Sequence, residues 1–262
     1  MQEFAPPLTF ASLVTLLREA GCVFAEDEAE LLVAAADDPT ELASMAGRRA
    51  AGLPLEHVLG WAEFCGLRIA VDPGVFVPRR RTEFLVRQAA ALAPGSPVVV
   101  DLCCGSGALG TALASSLRDA ELHAVDVEPA AVRCARRNVG RLGTVYEGDL
   151  FAPLPGSLRG RVDVLLANVP YVPTEDVGLL PAEARIHEPR VALDGGGDGL
   201  DVMRRVVAEA ADWLAPGGSL LVETSERQAA RALETVGSSG LTARVVASEE
   251  LHATVVIGTG PK

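Results

Sequence analysis

Residues 98–110 read VVVDLCCGSGALG, a short aliphatic run followed at once by a turn that contains three glycines. Such a run is typical of a buried strand in a parallel sheet, and the turn after it leads into a helix. Glycine lets the backbone pass close to a bound molecule, because a Cβ atom would collide with it or require a strained φ. The stretch therefore predicts an α/β fold with a ligand site at the end of this strand.

Strand and helix patterns alternate through the rest of the chain after this turn. Such alternation implies right-handed crossovers, a parallel sheet and a ligand site at the carboxyl ends of its strands. With the strand at residues 98–102 this pattern covers five strands, and two further strands after residue 240 complete the expected seven-stranded Rossmann-like sheet. The other six strands are expected at Leu122–Val125, Thr144–Glu147, Val162–Ala167, Ser219–Glu223, Thr242–Ala247 and Thr254–Gly258.

The residues before the sheet predict two smaller units. Thr9 and Asp38 each stand where a helix N-cap is expected, and Asp38 precedes Pro39 and Glu41 as in a capping box. Alternating apolar residues around Cys65-Gly66 predict a β-hairpin with a tight turn, and a helix is expected over Thr82–Ala93. The predicted domains are a helical substrate-recognition domain at residues 1–53, a hairpin linker at 54–78 and a catalytic domain at 79–262.

Composition limits the classes of partner. The 262 residues carry 23 Lys and Arg against 35 Asp and Glu, a net charge of -12. An acidic surface repels phosphates, so nucleic acid is an unfavourable partner. The start, MQEFAPPLTF, lacks the pattern of a secretion signal, and no apolar run approaches the ~20 residues that span a bilayer. We expect a cytoplasmic protein without a membrane partner, and the sequence contains no signal for an oligomeric state.

The cysteines and histidines do not form a metal-binding pattern. Five cysteines occur without CxxC spacing, and four histidines are scattered along the chain. This usage favours free thiols in a reducing compartment over a disulfide framework, and it predicts no metal site.

Three aspartates follow three successive predicted strands and suggest which ligand binds. The glycines alone also fit the dinucleotide fingerprint GxGxxG, and each aspartate could merely cap a helix or turn. Asp101, however, can balance the amino-acid part of a zwitterionic cofactor, Asp126 can accept both ribose hydroxyls, and Asp149 can accept from an adenine amine. Convergence of all three on one crevice favours S-adenosylmethionine, with S-adenosylhomocysteine as the product.

The fourth predicted strand of the domain runs directly into Asn168-Val169-Pro170-Tyr171. By itself this tetrad could be an ordinary turn. An amide nitrogen is a poor nucleophile, because its lone pair is delocalised into the carbonyl. The Asn168 side-chain oxygen and the Val169 carbonyl can each accept one of its N–H groups and aim the lone pair at the methyl group. After a glycine turn of this type, the tetrad predicts N-methyl transfer.

Longer segments carry a resemblance to a known family. RRAAGLPLEHVLGWAEFCGL (48–67), VDPGVFVPRRRTEFLV (71–86) and EPRVALDGGGDGLD (188–201) occur in the order found in the protein-(glutamine-N5) methyltransferases of the HemK/PrmC family. That family methylates the glutamine of the Gly-Gly-Gln motif in peptide chain release factors. Its usual tetrad, Asn-Pro-Pro-Tyr, is shared with adenine-amino methyltransferases of nucleic acids, whereas the three longer segments are not.

The resemblance implies roles for particular residues. Two of the residues concerned also fit structural roles: Thr82 could cap its helix, and Arg190 could pair with a nearby carboxylate. Asn168, Pro170 and Tyr171 would form the catalytic acceptor pocket. The cofactor would be bound by Asp101, Cys103, Gly105, Gly107, Asp126, Val127, Asp149, Leu150 and Asn168, and the substrate by Arg79, Thr82, Glu83, Val169, Glu188 and Arg190.

Three departures from the family pattern leave alternatives open. Val169 replaces the first proline of the tetrad, Arg80 and Arg81 replace the usual Pro-Glu, and the N-terminal helical domain is short. One alternative is an exocyclic-amine methyltransferase acting on RNA or DNA. A second is a cofactor-binding regulatory protein without activity.

Overall fold

The N-terminal part of the protein is a small helical unit. The structure is a computed structural model that describes residues 8–262. The first seven residues of the predicted helical domain, and with them most of the stretch in which no secretion signal is expected, lie outside the described range. The predicted caps are confirmed, since Thr9 Oγ1 accepts from Ser12 N at 3.2 Å and Asp38 Oδ1 from Glu41 N at 2.9 Å. The helices are α1 (Phe10–Glu19), α2 (Ala25–Ala35), α3 (Pro39–Ala50) and α4 (Leu55–Leu59).

A two-stranded hairpin follows, made of β1 (Trp61–Phe64) and β2 (Leu67–Ala70). Cys65 and Gly66 form its two-residue loop with φ values of 51° and 74°. Two successive positive φ values match the right-handed twist of a hairpin, as the predicted tight turn requires. Phe64 and Ile69 are buried against the larger domain.

The larger domain contains a seven-stranded sheet, which confirms the predicted fold class. Its strand order is β5-β4-β3-β6-β7-β9-β8. The five strands of the alternating pattern are parallel to their neighbours in that set, as predicted, whereas β9 runs antiparallel to both of its neighbours. Only four residues connect β8 to β9, too few for a parallel crossover. The strands are β3 (Val98–Leu102), β4 (Glu121–Asp126), β5 (Gly143–Glu147), β6 (Val162–Ala167), β7 (Leu214–Thr224), β8 (Thr242–Ser248) and β9 (Ala253–Thr259).

Helices cover both faces of the sheet. Val164 and Leu166 of β6 pack into the core on one face, and Leu165 and Ala167 into the core on the other. Both faces are thus buried, which explains the nearly continuous apolar strands. No helix among residues 8–262 is long and apolar enough to span a bilayer. The helices are α5 (Glu83–Leu92), α6 (Ala108–Ser116), α7 (Pro129–Val139), α8 (Ala182–His187), α9 (Asp201–Trp213) and α10 (Ala229–Gly237).

The order of the strands positions the ligand site. From β3 the chain continues outward through β4 and β5, and it then returns to place β6 on the other side of β3. The connections therefore leave β3 and β6 in opposite directions, which opens a crevice at their carboxyl ends. The glycine turn follows β3 at this point, and the Asn168–Tyr171 tetrad follows β6.

Candidate functional site

One cavity of about 450 Å³ lies at the carboxyl ends of β3, β4, β5 and β6. Its size is in the range of small-molecule sites. The glycine turn and the tetrad lie on the same cavity, as the sequence predicted. Its lining includes Phe76, Pro78, Arg79, Arg81, Cys103–Ser106, Val125–Glu128, Gly148–Leu150, Asn168–Val172, Leu180, Pro181, Glu183, Ala184 and Arg205.

The first two glycines of the turn serve different purposes. Gly105, at φ 57°, lines the cavity, and a Cβ atom there would meet no heavy atom within 4 Å. The open space is therefore on the ligand side. Gly107, at φ 77°, packs against α7, where a Cβ atom would lie 3.2 Å from the Cβ of Ala135. Gly107 thus permits close helix packing behind the loop, while Gly105 keeps the cavity clear.

Asp126, at the end of β4, presents a buried carboxylate to the cavity. Its Oδ2 accepts from Gly105 N at 2.8 Å and its Oδ1 from Glu128 N at 2.9 Å. Burial raises the pKa of this carboxyl, and the two backbone donors oppose that shift. Each oxygen keeps a second lone pair, so the carboxylate can accept further hydrogen bonds from a ligand.

Asp101 lies behind the glycine turn and does not line the cavity. Its side chain is buried, and Oδ2 accepts from Gly110 N at 2.8 Å at the start of α6. Burial raises the pKa of this carboxyl to about 7, although the Gly110 hydrogen bond lowers it. Its position indicates that Asp101 supports the loop instead of touching a ligand.

The raised pKa of Asp101 predicts a pH-dependent stability. An unfolded Asp has a pKa of about 4. The contribution of Asp101 to the free energy of unfolding is therefore complete below that pH, and it is lost as pH rises through 7. The resulting loss is about 1 kcal/mol between pH 6 and pH 7. Urea unfolding of the wild type should show this loss, and Asp101→Asn should reduce the slope of the unfolding free energy against pH. Equal slopes for both proteins would contradict the assignment.

Asp149 and Leu150 line the end of the cavity next to β5. Leu150 has φ 47°, which turns the backbone sharply after the strand. Asp149 accepts from Arg205 Nη2 of α9 at 2.5 Å. Arg205 also lines the cavity and was missed by the sequence analysis, because its placement depends on how α9 packs against the sheet.

All four residues of the tetrad after β6 line the cavity. Within residues 8–262, neither the Asn168 side chain nor the Val169 carbonyl takes part in a hydrogen bond. A side-chain hydrogen bond fixes the backbone of the tetrad: Gln228 Nε2 donates to Tyr171 O at 2.9 Å. A Cβ atom at Gly199 would lie 2.3 Å from the same oxygen. The glycine-rich segment at 195–199 therefore packs directly on the tetrad.

The Tyr171 hydroxyl belongs to a polar network at one side of the cavity. It accepts from Arg81 Nη2 at 2.8 Å and lies 3.1 Å from Glu223 Oε1, to which it donates. Arg81 Nε donates to the same Glu223 oxygen at 3.1 Å. Burial raises the pKa of Tyr171 to about 12, so the hydroxyl keeps its proton at neutral pH. Arg81, noted from the sequence only as a departure from the family, lines the cavity.

The predicted substrate-side residues are dispersed. Arg79 lines the cavity and pairs with the buried Glu188, whose Oε1 also accepts from Val77 N at 3.2 Å. Thr82 is buried at the start of α5, and its side chain makes no capping hydrogen bond there. The structure thus places four of these residues, Thr82, Glu83, Glu188 and Arg190, away from the cavity lining, and their positions give no support to direct substrate contact.

Local contacts account for two of these positions. Glu83 Oε1 accepts from Cys65 N of the hairpin at 3.0 Å. Arg190 forms an ion pair with Asp194 at 2.9 Å, which was the alternative considered for it. Both side chains therefore serve the packing of the loops around the cavity.

One wall of the cavity is connected to the helical unit. Glu183 of α8 lines the cavity and accepts from Arg49 Nη1 at 2.6 Å. Arg49 belongs to α3, is buried, and also donates to both oxygens of Glu28. Sequence spacing could not reveal this contact, since it joins residues 134 positions apart.

Comparisons with known proteins agree with this geometry. Residues 66–199 match the family model described as Methyltransferase small domain. The chain is 43% identical over 209 residues to a release factor glutamine methyltransferase of Geobacter sulfurreducens, covering 78% of this chain and 72% of that protein. It is 41% identical over 231 residues to the protein of that name from Mycolicibacterium smegmatis, covering 86% of this chain and 82% of the relative.

Solved structures show the same fold at low sequence identity. A methyltransferase from Pyrococcus furiosus superposes with a TM-score of 0.56 at 18% identity, covering 75% of this chain and 90% of that one. A ribosomal protein L11 methylase from Lactobacillus delbrueckii subsp. bulgaricus gives 0.53 at 14% identity, covering 74% and 86%.

The fold, the glycine turn and the matched family model define an S-adenosylmethionine-dependent methyltransferase with a Rossmann-like sheet. Within that class, the chain belongs to the release factor glutamine methyltransferase family. The resemblance noted in the sequence is thereby confirmed, and the dinucleotide alternative for the glycine turn is excluded.

Proposed function

We propose that this protein transfers a methyl group from S-adenosylmethionine to the side-chain amide nitrogen of the glutamine in the Gly-Gly-Gln motif of a peptide chain release factor. One observation carries the proposal. Asn168 and Val169 line the same cavity as the glycine turn, and neither the Asn168 side chain nor the Val169 carbonyl has a hydrogen-bond partner in the described part of the chain. The names of the relatives support the choice of acceptor.

The residues at the glycine-turn end fit the cofactor. Asp126 offers free lone pairs to the ribose hydroxyls, and Gly105 leaves room next to the backbone. Val127, Asp149 and Leu150 line the cavity. Val127 and Leu150 would provide apolar surface for the adenine, and Asp149 would accept from its amine. Cys103 contributes to the same wall. Asp101 and Gly107 hold the loop from behind.

The residues at the tetrad end fit a primary amide. Asn168 Oδ1 and the Val169 carbonyl would each accept one N–H, which orients the nitrogen lone pair. Pro170 limits the motion of the turn, and the Tyr171 ring forms an adjacent wall. The cofactor supplies an electrophilic methyl group on a positively charged sulfur. The amide nitrogen would take this methyl group as the C–S bond breaks and release one proton to water, and S-adenosylhomocysteine would be the product.

The proposal assigns substrate recognition to the helical domain, residues 1–53. The Arg49–Glu183 ion pair supports this assignment, because it joins that domain to the wall of the cavity. Residues 54–78 would link it to the catalytic domain at 79–262. We also place the protein in the cytoplasm, which agrees with five free cysteines.

Labelling of a cell lysate tests the acceptor class. The protein would be incubated with radiolabelled cofactor and lysate, and the labelled species identified by mass spectrometry. We expect label in a release factor. Label in nucleic acid would support the exocyclic-amine alternative instead, and tight cofactor binding without any labelled product would support a regulatory protein.

Val169→Pro restores the usual family tetrad and should have a small effect. The working group is a backbone carbonyl, which either residue provides, and a compatible proline changes loop freedom by less than ~1 kcal/mol. Methylation of a Gly-Gly-Gln substrate should change by less than ~10-fold. An inert wild type that gains activity with Val169→Pro would show that valine marks a different acceptor.

A further inference from the structure

We propose that Arg81 and Glu223 are positioning residues, which hold the Tyr171 hydroxyl and thereby fix the Tyr171 ring as a wall of the acceptor pocket. The inference rests on the proposed function and adds two residues to it. Each contacts the Tyr171 hydroxyl, and we assign the effect of both residues to that contact.

The network joins three distant parts of the chain. Arg81 lies in the turn before α5, Tyr171 follows β6, and Glu223 lies near the end of β7. All three pairwise contacts are hydrogen bonds of 2.8 to 3.1 Å. Such a closed set of contacts restricts the hydroxyl more than a single hydrogen bond would, since losing any one contact leaves two in place.

Tyr171 is held at both of its ends. Gln228 fixes its backbone oxygen, and the network fixes its hydroxyl. Tyr171 lines the cavity. Because transfer requires the acceptor nitrogen and the methyl carbon to be aligned, displacement of this wall should affect turnover more than cofactor affinity.

Charge explains why an arginine is needed at this position. The Glu223 side chain is 2% exposed, and its Oε2 has no partner among residues 8–262. A buried carboxylate without a compensating cation is strongly unfavourable. Arg81 supplies this cation. The Nε and Nη2 donors of its planar guanidinium group have a fixed geometry, so the same group can reach both Glu223 and the Tyr171 hydroxyl.

A double-mutant cycle between Arg81 and Tyr171 tests the coupling. Arg81→Gln and Tyr171→Phe should each lower kcat on a Gly-Gly-Gln peptide by ~5- to 10-fold, with the cofactor Kd changed less than twofold. The double variant should lose no more than about twofold beyond either single variant. A kcat loss in the double variant equal to the product of the two single-variant losses would overturn the proposal. Arg80→Gln is the matched control, since the exposed Arg80 does not line this cavity, and it should retain wild-type kcat.

A spectroscopic measurement makes the test independent of activity. The chain has only two tyrosines, so ¹³C-tyrosine NMR reports Tyr171 with Tyr146 as an internal reference. Arg81→Gln should shift and broaden the Tyr171 ring signals and leave those of Tyr146 unchanged. If that variant does not fold, Arg81→Gln with Glu223→Gln removes both charges and should give the same result. Unchanged Tyr171 signals would overturn the inference, whereas a wild type inert on the peptide would overturn only the proposed function.

Discussion

Asn168→Ala is expected to lower turnover by ~100-fold or more while cofactor affinity stays near that of the wild type. The side chain lies at the cavity and makes no hydrogen bond within residues 8–262. Its removal should therefore disturb the acceptor and leave the fold intact. Single-turnover kinetics on a Gly-Gly-Gln peptide would measure the chemical step, and calorimetry with S-adenosylmethionine would measure binding.

A nearby surface residue provides the control for Asn168. Glu175→Ala removes an exposed side chain seven positions further along the chain, and it should leave turnover unchanged. If Asn168→Ala turns over as fast as this control, Asn168 is only a turn residue, and orientation of the amide must be assigned to another group.

Asp126→Ala is expected to weaken S-adenosylmethionine binding at least tenfold. Loss of a charged acceptor costs ~1.5–3 kcal/mol, which corresponds to ~10- to 150-fold in Kd. The substitution also removes the acceptor for Gly105 N, so the loop would lose one of its anchors. Asp126→Asn keeps only one of the two acceptor oxygens and no charge, and its affinity should fall between those of the wild type and alanine. Isothermal titration calorimetry measures all three.

The opposite end of the same strand provides the control for Asp126. Glu121 is an exposed carboxylate at the start of β4, remote from the cavity lining. Glu121→Ala should bind the cofactor as the wild type does. A folded Asp126→Ala protein with unchanged affinity would contradict the ribose assignment.

The sequence predicted those parts of the fold that local pattern determines. The glycine turn, the hairpin at Cys65-Gly66 and the caps at Thr9 and Asp38 all depend on residues within a few positions of each other. The antiparallel direction of β9 was left unpredicted, since an apolar strand pattern carries no direction. Here the short connection after β8 determines it.

For the site, the sequence located strand ends better than side-chain contacts. Asp126 and Asn168 were correctly placed on one cavity, because the carboxyl ends of parallel strands meet at one edge of a sheet. Asp101 comes from the same edge, yet its side chain turns away to Gly110. Arg81 and Gln228 act across long sequence separations, so only packing could reveal them.

The most direct test of the central claim is site-resolved mass spectrometry of a methylated substrate. Purified protein and S-adenosylmethionine would be incubated with a release factor that carries Gly-Gly-Gln, and the digest sequenced by tandem mass spectrometry. The account predicts one added methyl group on the side chain of that glutamine, and none on a release factor in which the glutamine is replaced by alanine. A glutamine that stays unmodified, under conditions where the protein binds the cofactor and methylates a nucleic-acid base, would contradict it.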